Sequence, residues 1–509
     1  MNALPSTAQV AVIGAGAMGA GIAQVAAQGG HPVLLFDVRE GAASRARENI
    51  VGALSRLVEK GRLTAETAEQ IGNAISVVDS LDAMADVDLV IEAIVEDLDA
   101  KRAVFCQLET LLRPDAIMTT NTSSVSITSI AAPLRHPERF AGMHFFNPAP
   151  LMALVEVVSG LATSTQTREV LLATAEAWGK KPVRAKSTPG FIVNRVARSF
   201  YAEGLRVLEE GVADVPTIDA LIREGGGFRM GPFELMDLIG HDVNSAVTRS
   251  VFDAYSQDPR FKPSLIQQEL VAAGRLGRKS GRGFYDYAQG AVRPEPATGV
   301  AGNAPKRILV AGDLGVAEPL LDSFAAVGIE IERVPGEGVI HLDTITLAFT
   351  DGRSATLRAA QESLIDLVLF DLVLDFGQPS RIGLAKADQT SDQALQDVVA
   401  LFQQACWKVS VIDDAPALVV MRTVVMLANE GADTVLQGVA SPADIDQAMR
   451  YGTNYPRGPL AWADAIGGTQ VLQVLSNLQH HYGEDRYRPS SLLRRCALTQ
   501  RKLLQARSH

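Results

Sequence analysis

Four side chains, Ser123, His144, Glu156 and Asn194, have the types needed to move a proton and hold a polar oxygen. An imidazole takes up a proton near neutral pH, and a neighbouring carboxylate fixes its tautomer and strengthens it as a base. His144 stands in "RFAGMHFFNP" and Glu156 in "LMALVEVVSG", 156 − 144 = 12 residues on, across a proline-containing bend. Two strands joined by such a bend would set the carboxylate beside the imidazole. Ser123 lies in the hydroxyl-rich stretch "TNTSSVSITS", 144 − 123 = 21 residues before the histidine. Asn194 lies in "PGFIVNR", early in an apolar helix, where asparagine is unfavourable without a task. Each has a bland alternative: a satisfied core histidine, an edge-strand charge, hydroxyls that cap their own turn.

The elements that would position these groups begin at the N-terminus. Val10–Ile13 is a short apolar run that reads as a buried parallel strand, and Gly14, Gly16 and Gly19 follow as G-x-G-x-x-G. A helical pattern then runs to Gln28, and "PVLLFD" forms a second strand ending at Asp37, 37 − 14 = 23 residues after the first glycine. In this arrangement the glycines give a tight turn, close backbone approach to a pyrophosphate and close helix packing, while the helix N-terminus attracts phosphate. Gly14, Ala15, Gly16, Ala17, Met18 and Gly19 are therefore candidate cofactor contacts. Asp37 is placed to accept from a ribose 2′-hydroxyl and favours NAD over NADP, with Arg39 nearby as the counter-argument. Further strands are read in "DVDLVIEAIVED", "AIMTTNTSSVSI" and "RFAGMHFFNP". Ligands of doubly wound sheets sit beyond the carboxyl ends of strands, which places Glu96, Asn121, Ser123 and Ser124 on the ligand side.

From about Gly190 the pattern becomes helical. Pro189–Gly240 aligns without gaps to Pro416–Gly467 at a constant offset of 416 − 189 = 227, with 17 identities in 52 positions, which marks a duplicated helical module. At that offset Asn194 faces Met421, so the second module keeps the helix and loses its polar centre. Two such copies can mimic a homodimer contact within one chain, so a homo-oligomer and a monomer whose duplicated module replaces a dimer contact are both open. Between them, "KRILVAGDLGVAEPLLDSFAAVGIEIERV" reads as strand, loop, helix, strand without the glycine fingerprint, and "LVLFDLVLDFG" as a strand or a helix. The expected organisation is a Rossmann domain, doubly wound with a mostly parallel sheet, over 1–186; a helical domain over 187–288; a linker over 289–304; a degenerate Rossmann-like domain over 305–410; and the second helical domain over 411–509.

Composition narrows the function classes. The chain of 509 residues carries a formal net charge of −11 and shows no Lys/Arg cluster, which argues against nucleic acid as partner. Three scattered cysteines indicate neither a disulfide framework nor a metal site, and a reduced, cytoplasmic setting is expected. No basic leader precedes the first apolar run, and no apolar stretch reaches the roughly 18 residues of a membrane helix.

Seven segments in order, "GAGAMGAGIAQ", "IEAIVEDLDAK", "TNTSSVSITSI", "RFAGMHFFNPAPLMALVEVV", "TPGFIVNR", "GPFELMDLIG" and "GRKSGRGFYDY", closely resemble the 3-hydroxyacyl-CoA dehydrogenase family. The two-module length resembles the long bacterial form of phenylacetate degradation, acting on 3-hydroxyadipyl-CoA or 3-hydroxybutyryl-CoA. The resemblance implies NAD as cofactor, an acyl-CoA substrate, His144 as base oriented by Glu156, Ser123 on the reacting oxygen, and Asn194 near the substrate carbonyl. It implies NAD contacts from the glycine loop, Asp37, Glu96, Lys101, Ser123, Asn147 and Lys279, and a CoA contact from Lys60. Where the family can offer a CoA-binding serine this chain has Ala53. Two other readings stay open at this point: a hydroxy-acid dehydrogenase that does not use CoA, and a non-catalytic NAD-binding protein.

Overall fold

The computed structural model describes residues 2–506. They form two compact units: one from the chain up to Arg195 together with Gln437–Thr453, the other from Val196–Leu436 and the chain from Asn454 on. Residues 437–453 therefore leave the second helical module and fold with the N-terminal sheet.

In the first unit the strands are β1 (Val10–Ile13), β2 (Val33–Phe36), β3 (Ile75–Val77), β4 (Leu89–Glu92), β5 (Ile117–Thr120), β6 (Phe140–Phe145), β7 (Leu154–Ser159) and β8 (Lys181–Lys186). Their order is β3-β2-β1-β4-β5-β6-β7-β8, and every pair is parallel except β6 with β7. The apolar runs "VAVI" and "LVIE" are buried along their whole length, as strands covered on both faces must be. Helix Ala17–Gln28 packs on β1 and β2, and helix Thr165–Ala177 on β7 and β8. Val10, Val12, Ile22, Leu35, Leu89, Ile91, Met143 and Leu171 meet in the core between sheet and helices. The borrowed helix Pro442–Gly452 lies on β7 and β8, where the Lys186 N–H donates to Val439 O at 2.9 Å and Gln447 Nε2 to Pro182 O at 2.9 Å.

The second unit holds most of both helical modules, the first from Val196 on, and a sheet of β9 (Arg307–Ala311), β10 (Glu330–Val334), β11 (Val339–Leu342), β12 (Ile345–Phe349), β13 (Asp366–Phe370), β14 (Arg381–Lys386) and β15 (Lys408–Val411) in the order β10-β9-β11-β12-β13-β14-β15. "LVLFDLVLDFG" is a strand as far as Phe370 and then a loop. The repeated acids have structural tasks here. Glu203 is held by buried Arg422 at 2.9 Å and Glu430 by buried Arg260 at 3.1 Å. Asp237 accepts the N–H groups of Phe284 and Tyr285, and Asp464 those of Leu503 and Leu504. Glu203, Asp237 and Glu430 are tolerated as buried carboxylates because each is paired or hydrogen-bonded, and Asp464 is half-buried.

The offset of 227 extends well beyond the helical modules. Strand β7 shifted by 227 falls on β14, and helix Thr165–Ala177 falls on helix Asp392–Gln404. His144 maps to Asp371, Glu156 to Gly383 and Asn194 to Met421. The middle domain is thus a shortened copy of the N-terminal sheet, with an antiparallel β13–β14 pair standing for β6–β7. In this copy one carboxylate replaces the histidine–glutamate pair. Asp371 accepts the backbone N–H groups of Val419, Val420 and Met421, the same helix start that Glu156 holds in the first copy. Its burial pushes its carboxyl up to about 6 despite those donors. After β9 the loop amides are already used: Leu314 N–H donates to Glu318 and Gly315 N–H to Asp313, so carboxylates occupy the place a pyrophosphate would need. The expected result of calorimetric titration is one NADH bound per 509-residue chain; two would contradict this account of the second sheet.

Candidate active site

The carboxyl ends of β1, β2, β4, β5 and β6 carry Gly14, Asp37, Glu96, Ser123 and His144 in turn, all on one edge of the parallel sheet. At the glycine loop a Cβ on Gly19 would lie 1.7 Å from Gly14 O, and one on Gly14, whose φ is +98°, would lie 2.5 Å from Ala93 O. Only glycine fits either place. Gly16 has nothing within 4 Å of its Cβ direction, which leaves the open approach to the helix N-terminus that a pyrophosphate needs. Asp37 accepts the Ala15 N–H at 2.8 Å and takes a two-pronged ion pair from Arg39 at 3.0 Å. The Arg39 guanidinium, the Ala15 N–H and the Arg39 N–H lower its carboxyl to about 2 against its partial burial. Arg39 is therefore engaged by the Asp37 carboxylate, and the residues present fit a dinucleotide.

His144 and Glu156 face each other in the antiparallel β6–β7 register. His144 Nδ1 lies 2.6 Å from Glu156 Oε2, with both side chains buried. The edge-strand reading of Glu156 fails because β7 is flanked by β6 and β8. Its other oxygen accepts the N–H groups of Ile192 and Val193 at 3.0 Å each, so one carboxylate ties the imidazole to the helix start that carries Asn194. The chain reaches that helix through Gly190 at φ 73° and Phe191 at φ 47°; the second copy repeats the left-handed pair at Ala417 and Leu418. Phe146 and Phe191 pack on the imidazole at 4.5 and 5.8 Å between ring centres, which keeps its surroundings apolar. With a proton on Nδ1 directed at Glu156, Nε2 is the atom left to accept one.

Ser123 is held from below by Glu96. Glu96 Oε1 accepts the Thr122 hydroxyl at 2.6 Å, the Ser123 N–H at 2.8 Å and the Ser124 N–H at 3.0 Å. Burial works against this carboxylate, yet the Thr122 hydroxyl, the Lys101 ammonium and the serine-loop donors hold it below the usual range. Lys101 is buried, with Nζ 2.7 Å from Glu92 and 3.3 Å from Glu96. Asn121 Oδ1 accepts the Phe145 N–H at 2.8 Å and joins the ends of β5 and β6. Ser126 caps the short helix after the loop through Ser129 N–H.

No hydrogen bond or ion pair found among the described residues joins Asn147, Lys60 or Lys279 to these side chains. Asn147, exposed after β6, is joined to Pro148 by a cis peptide bond. Lys60 is exposed at the C-terminal end of helix Ala42–Glu59, which also contains Ala53. Lys279 belongs to the second unit and is paired with Asp242 at 2.5 Å. Sequence reasoning missed Glu92, Thr120 and Thr122. The signals were an acid closing the apolar run "DLVIE", where a strand end buries it, and two threonines within the hydroxyl-rich stretch "TNTSSVSITS".

Among the described residues no group of three or more metal-ligating side chains occurs, and no helix is long and apolar enough to cross a membrane. Residues 9–188 match the NAD binding domain of 3-hydroxyacyl-CoA dehydrogenase, 190–287 and 418–506 its C-terminal domain, and 347–416 the 3-hydroxybutyryl-CoA dehydrogenase reduced Rossmann-fold domain. The chain is 48% identical over 489 residues to a 3-hydroxyadipyl-CoA dehydrogenase of Escherichia coli (strain K12), covering 96% of this chain and 97% of that protein. It is 42% identical over 276 residues to a probable 3-hydroxybutyryl-CoA dehydrogenase of Deinococcus radiodurans, covering 54% of this chain and 99% of that protein. A crystal structure of 3-hydroxybutyryl-CoA dehydrogenase from Escherichia coli superposes with a TM-score of 0.89 at 47% identity, covering 97% of this chain and 98% of that one. With a dinucleotide loop, a buried histidine–glutamate pair and full-length similarity, the chain belongs to the 3-hydroxyacyl-CoA dehydrogenase family.

Proposed function

We propose that this NAD-dependent dehydrogenase oxidises (S)-3-hydroxyacyl-CoA thioesters reversibly to 3-oxoacyl-CoA, with His144 as the base. The observation that carries the reading is the buried His144–Glu156 pair, whose carboxylate fixes the tautomer that leaves Nε2 to accept a proton. His144 takes the 3-hydroxyl proton while the C3 hydrogen departs as hydride, and Glu156 stabilises the resulting imidazolium. Bound NAD supplies the hydride acceptor. Ser123 donates to the reacting oxygen, and Asn194 holds the region of the thioester carbonyl. Gly14–Gly19, Asp37, Glu96, Lys101, Asn147 and Lys279 would contact NAD, and Lys60 the CoA moiety.

The substrates named for the relatives point to 3-hydroxyadipyl-CoA or 3-hydroxybutyryl-CoA, and so to a cytoplasmic enzyme of phenylacetate or short-chain acyl-CoA degradation. The duplicated module supports a chain that supplies its own dimer-like contact. Kinetics on both thioesters should show turnover of each, with the larger kcat/KM for 3-hydroxyadipyl-CoA; absence of NADH formation from either would contradict the reading. At the cofactor, Asp37→Ser should lower the ratio of kcat/KM for NAD over NADP by roughly 10- to 100-fold, the worth of a charge-assisted hydrogen bond. Because the Asp37 carboxyl is lowered to about 2, it stays ionised at pH 5, and the Kd for NAD should change little between pH 7 and 5; a steep weakening of NAD binding toward pH 5 would contradict it.

A further inference from the structure

Beneath the Ser123 loop the polar side chains close on themselves. Glu92 is the last residue of β4 and is fully buried. Its Oε2 accepts the Thr120 hydroxyl at 2.7 Å. The oxygen of that hydroxyl accepts the Thr122 N–H at 3.2 Å. The Thr122 hydroxyl donates to Glu96 Oε1 at 2.6 Å, and Glu96 Oε2 lies 3.3 Å from Lys101 Nζ. Lys101 Nζ returns to Glu92 Oε1 at 2.7 Å. Glu92 Oε1 also takes the Ile94 N–H at 2.7 Å, which fixes the carboxylate to the backbone leaving the strand.

We infer that this ring of Glu92, Thr120, Thr122, Glu96 and Lys101 positions Ser123, with Glu92 as its anchor. The inference rests on the reading of Ser123 given above. The serine loop touches the ring at two atoms: Glu96 Oε1 receives the N–H groups of Ser123 and Ser124, and Thr122 Oγ1 receives those of Ser124 and Val125. Glu96 is held in turn by Lys101, and Lys101 by Glu92. A buried ammonium between two carboxylates has little freedom, because every departure leaves a charge unpaired in a medium of low polarity. The loop is steadied by a second route, from Glu92 through the Thr120 hydroxyl to the Thr122 N–H. Two routes from one carboxylate make Glu92 a positioning residue, and they give Lys101 and Glu96 a task beyond contact with the cofactor.

Glu92→Gln tests this. The carboxamide has the size of the carboxylate but one end that donates, and that end must face either the Lys101 ammonium or the Thr120 hydroxyl. Facing Lys101 it breaks that joint, and facing Thr120 it reverses the hydroxyl bond; in either orientation the Lys101 ammonium loses the Glu92 charge. The expected result is a fall in kcat of about tenfold, the effect of one charge-assisted hydrogen bond, with the Kd for NADH changed less than about threefold. Amide hydrogen exchange in residues 119–126 should quicken. In a Ser123→Ala background the same substitution should cost less than about twofold, because the group it positions is gone. Equal losses in both backgrounds, or unchanged exchange in 119–126, would overturn the inference. Should Glu92→Gln fail to fold, Thr120→Val opens the second route with all charges kept and should move the same readouts in the same direction. If Ser123→Ala alone leaves kcat intact while Glu92→Gln still quickens exchange, the ring's hold on the loop stands and Ser123 loses its catalytic role.

Discussion

His144→Gln is expected to lower kcat by about 10²- to 10⁴-fold and to leave the Kd for NADH unchanged, the loss appropriate to removing a general base. The glutamine side chain fills much of the imidazole's space between Phe146 and Phe191 and can still meet Glu156, so the strand pair should persist. It cannot accept the hydroxyl proton. The glycine loop and Asp37 stand at β1 and β2, away from the end of β6, so cofactor binding should be insensitive. Steady-state kinetics and NADH fluorescence titration read the two parts separately. Near-normal turnover would remove His144 from the chemistry, whereas lost turnover together with lost NADH binding would indicate damage to the fold.

Glu156→Gln should be almost as severe, for a different reason. The carboxylate serves three partners: His144 Nδ1 at 2.6 Å and the N–H groups of Ile192 and Val193 at 3.0 Å. A carboxamide oxygen can keep the two backbone donors, but its NH₂ then faces Nδ1 and drives the imidazole proton to Nε2, the atom that must accept. The reversed orientation sets NH₂ against two N–H groups. The first outcome should cost about 10²- to 10⁴-fold in kcat through the wrong tautomer. The second should cost about 1–3 kcal/mol of stability for unsatisfied buried donors. Thermal unfolding and kcat measured on one preparation distinguish them, and a variant with both values near wild type would contradict the geometry.

The parts of the site that could be read from residues are those whose chemistry demands rare types at fixed places. G-x-G-x-x-G followed by Asp37 specifies a βαβ turn because only glycine survives a contact such as Gly19 on Gly14 O. A histidine and a glutamate 12 residues apart across a proline bend specify an antiparallel pair, and the register sets His144 opposite Glu156. Glu92 was not legible, because one acid at the end of an apolar strand carries no sign of the three partners it finds once β4, β5 and the helix Leu98–Leu111 are assembled. The middle domain was half legible. The fingerprint's absence was plain, but its origin as a copy of the catalytic sheet was not, since Asp371 and Gly383 share no side-chain type with His144 and Glu156. What survived there is geometry: a carboxylate on the same helix start and the same left-handed entry. Nor did sequence alone indicate that Gln437–Thr453 would fold with the first unit, because a helix face does not name the sheet it will cover.

The most direct test of the central claim is NADH formation by the wild-type protein with (S)-3-hydroxybutyryl-CoA and with free (S)-3-hydroxybutyrate at equal concentration. The account predicts rapid, NAD-dependent reduction with the thioester, orders of magnitude above the free acid, and its loss in His144→Gln. No NADH from the thioester, or equal rates with the free acid, would contradict it.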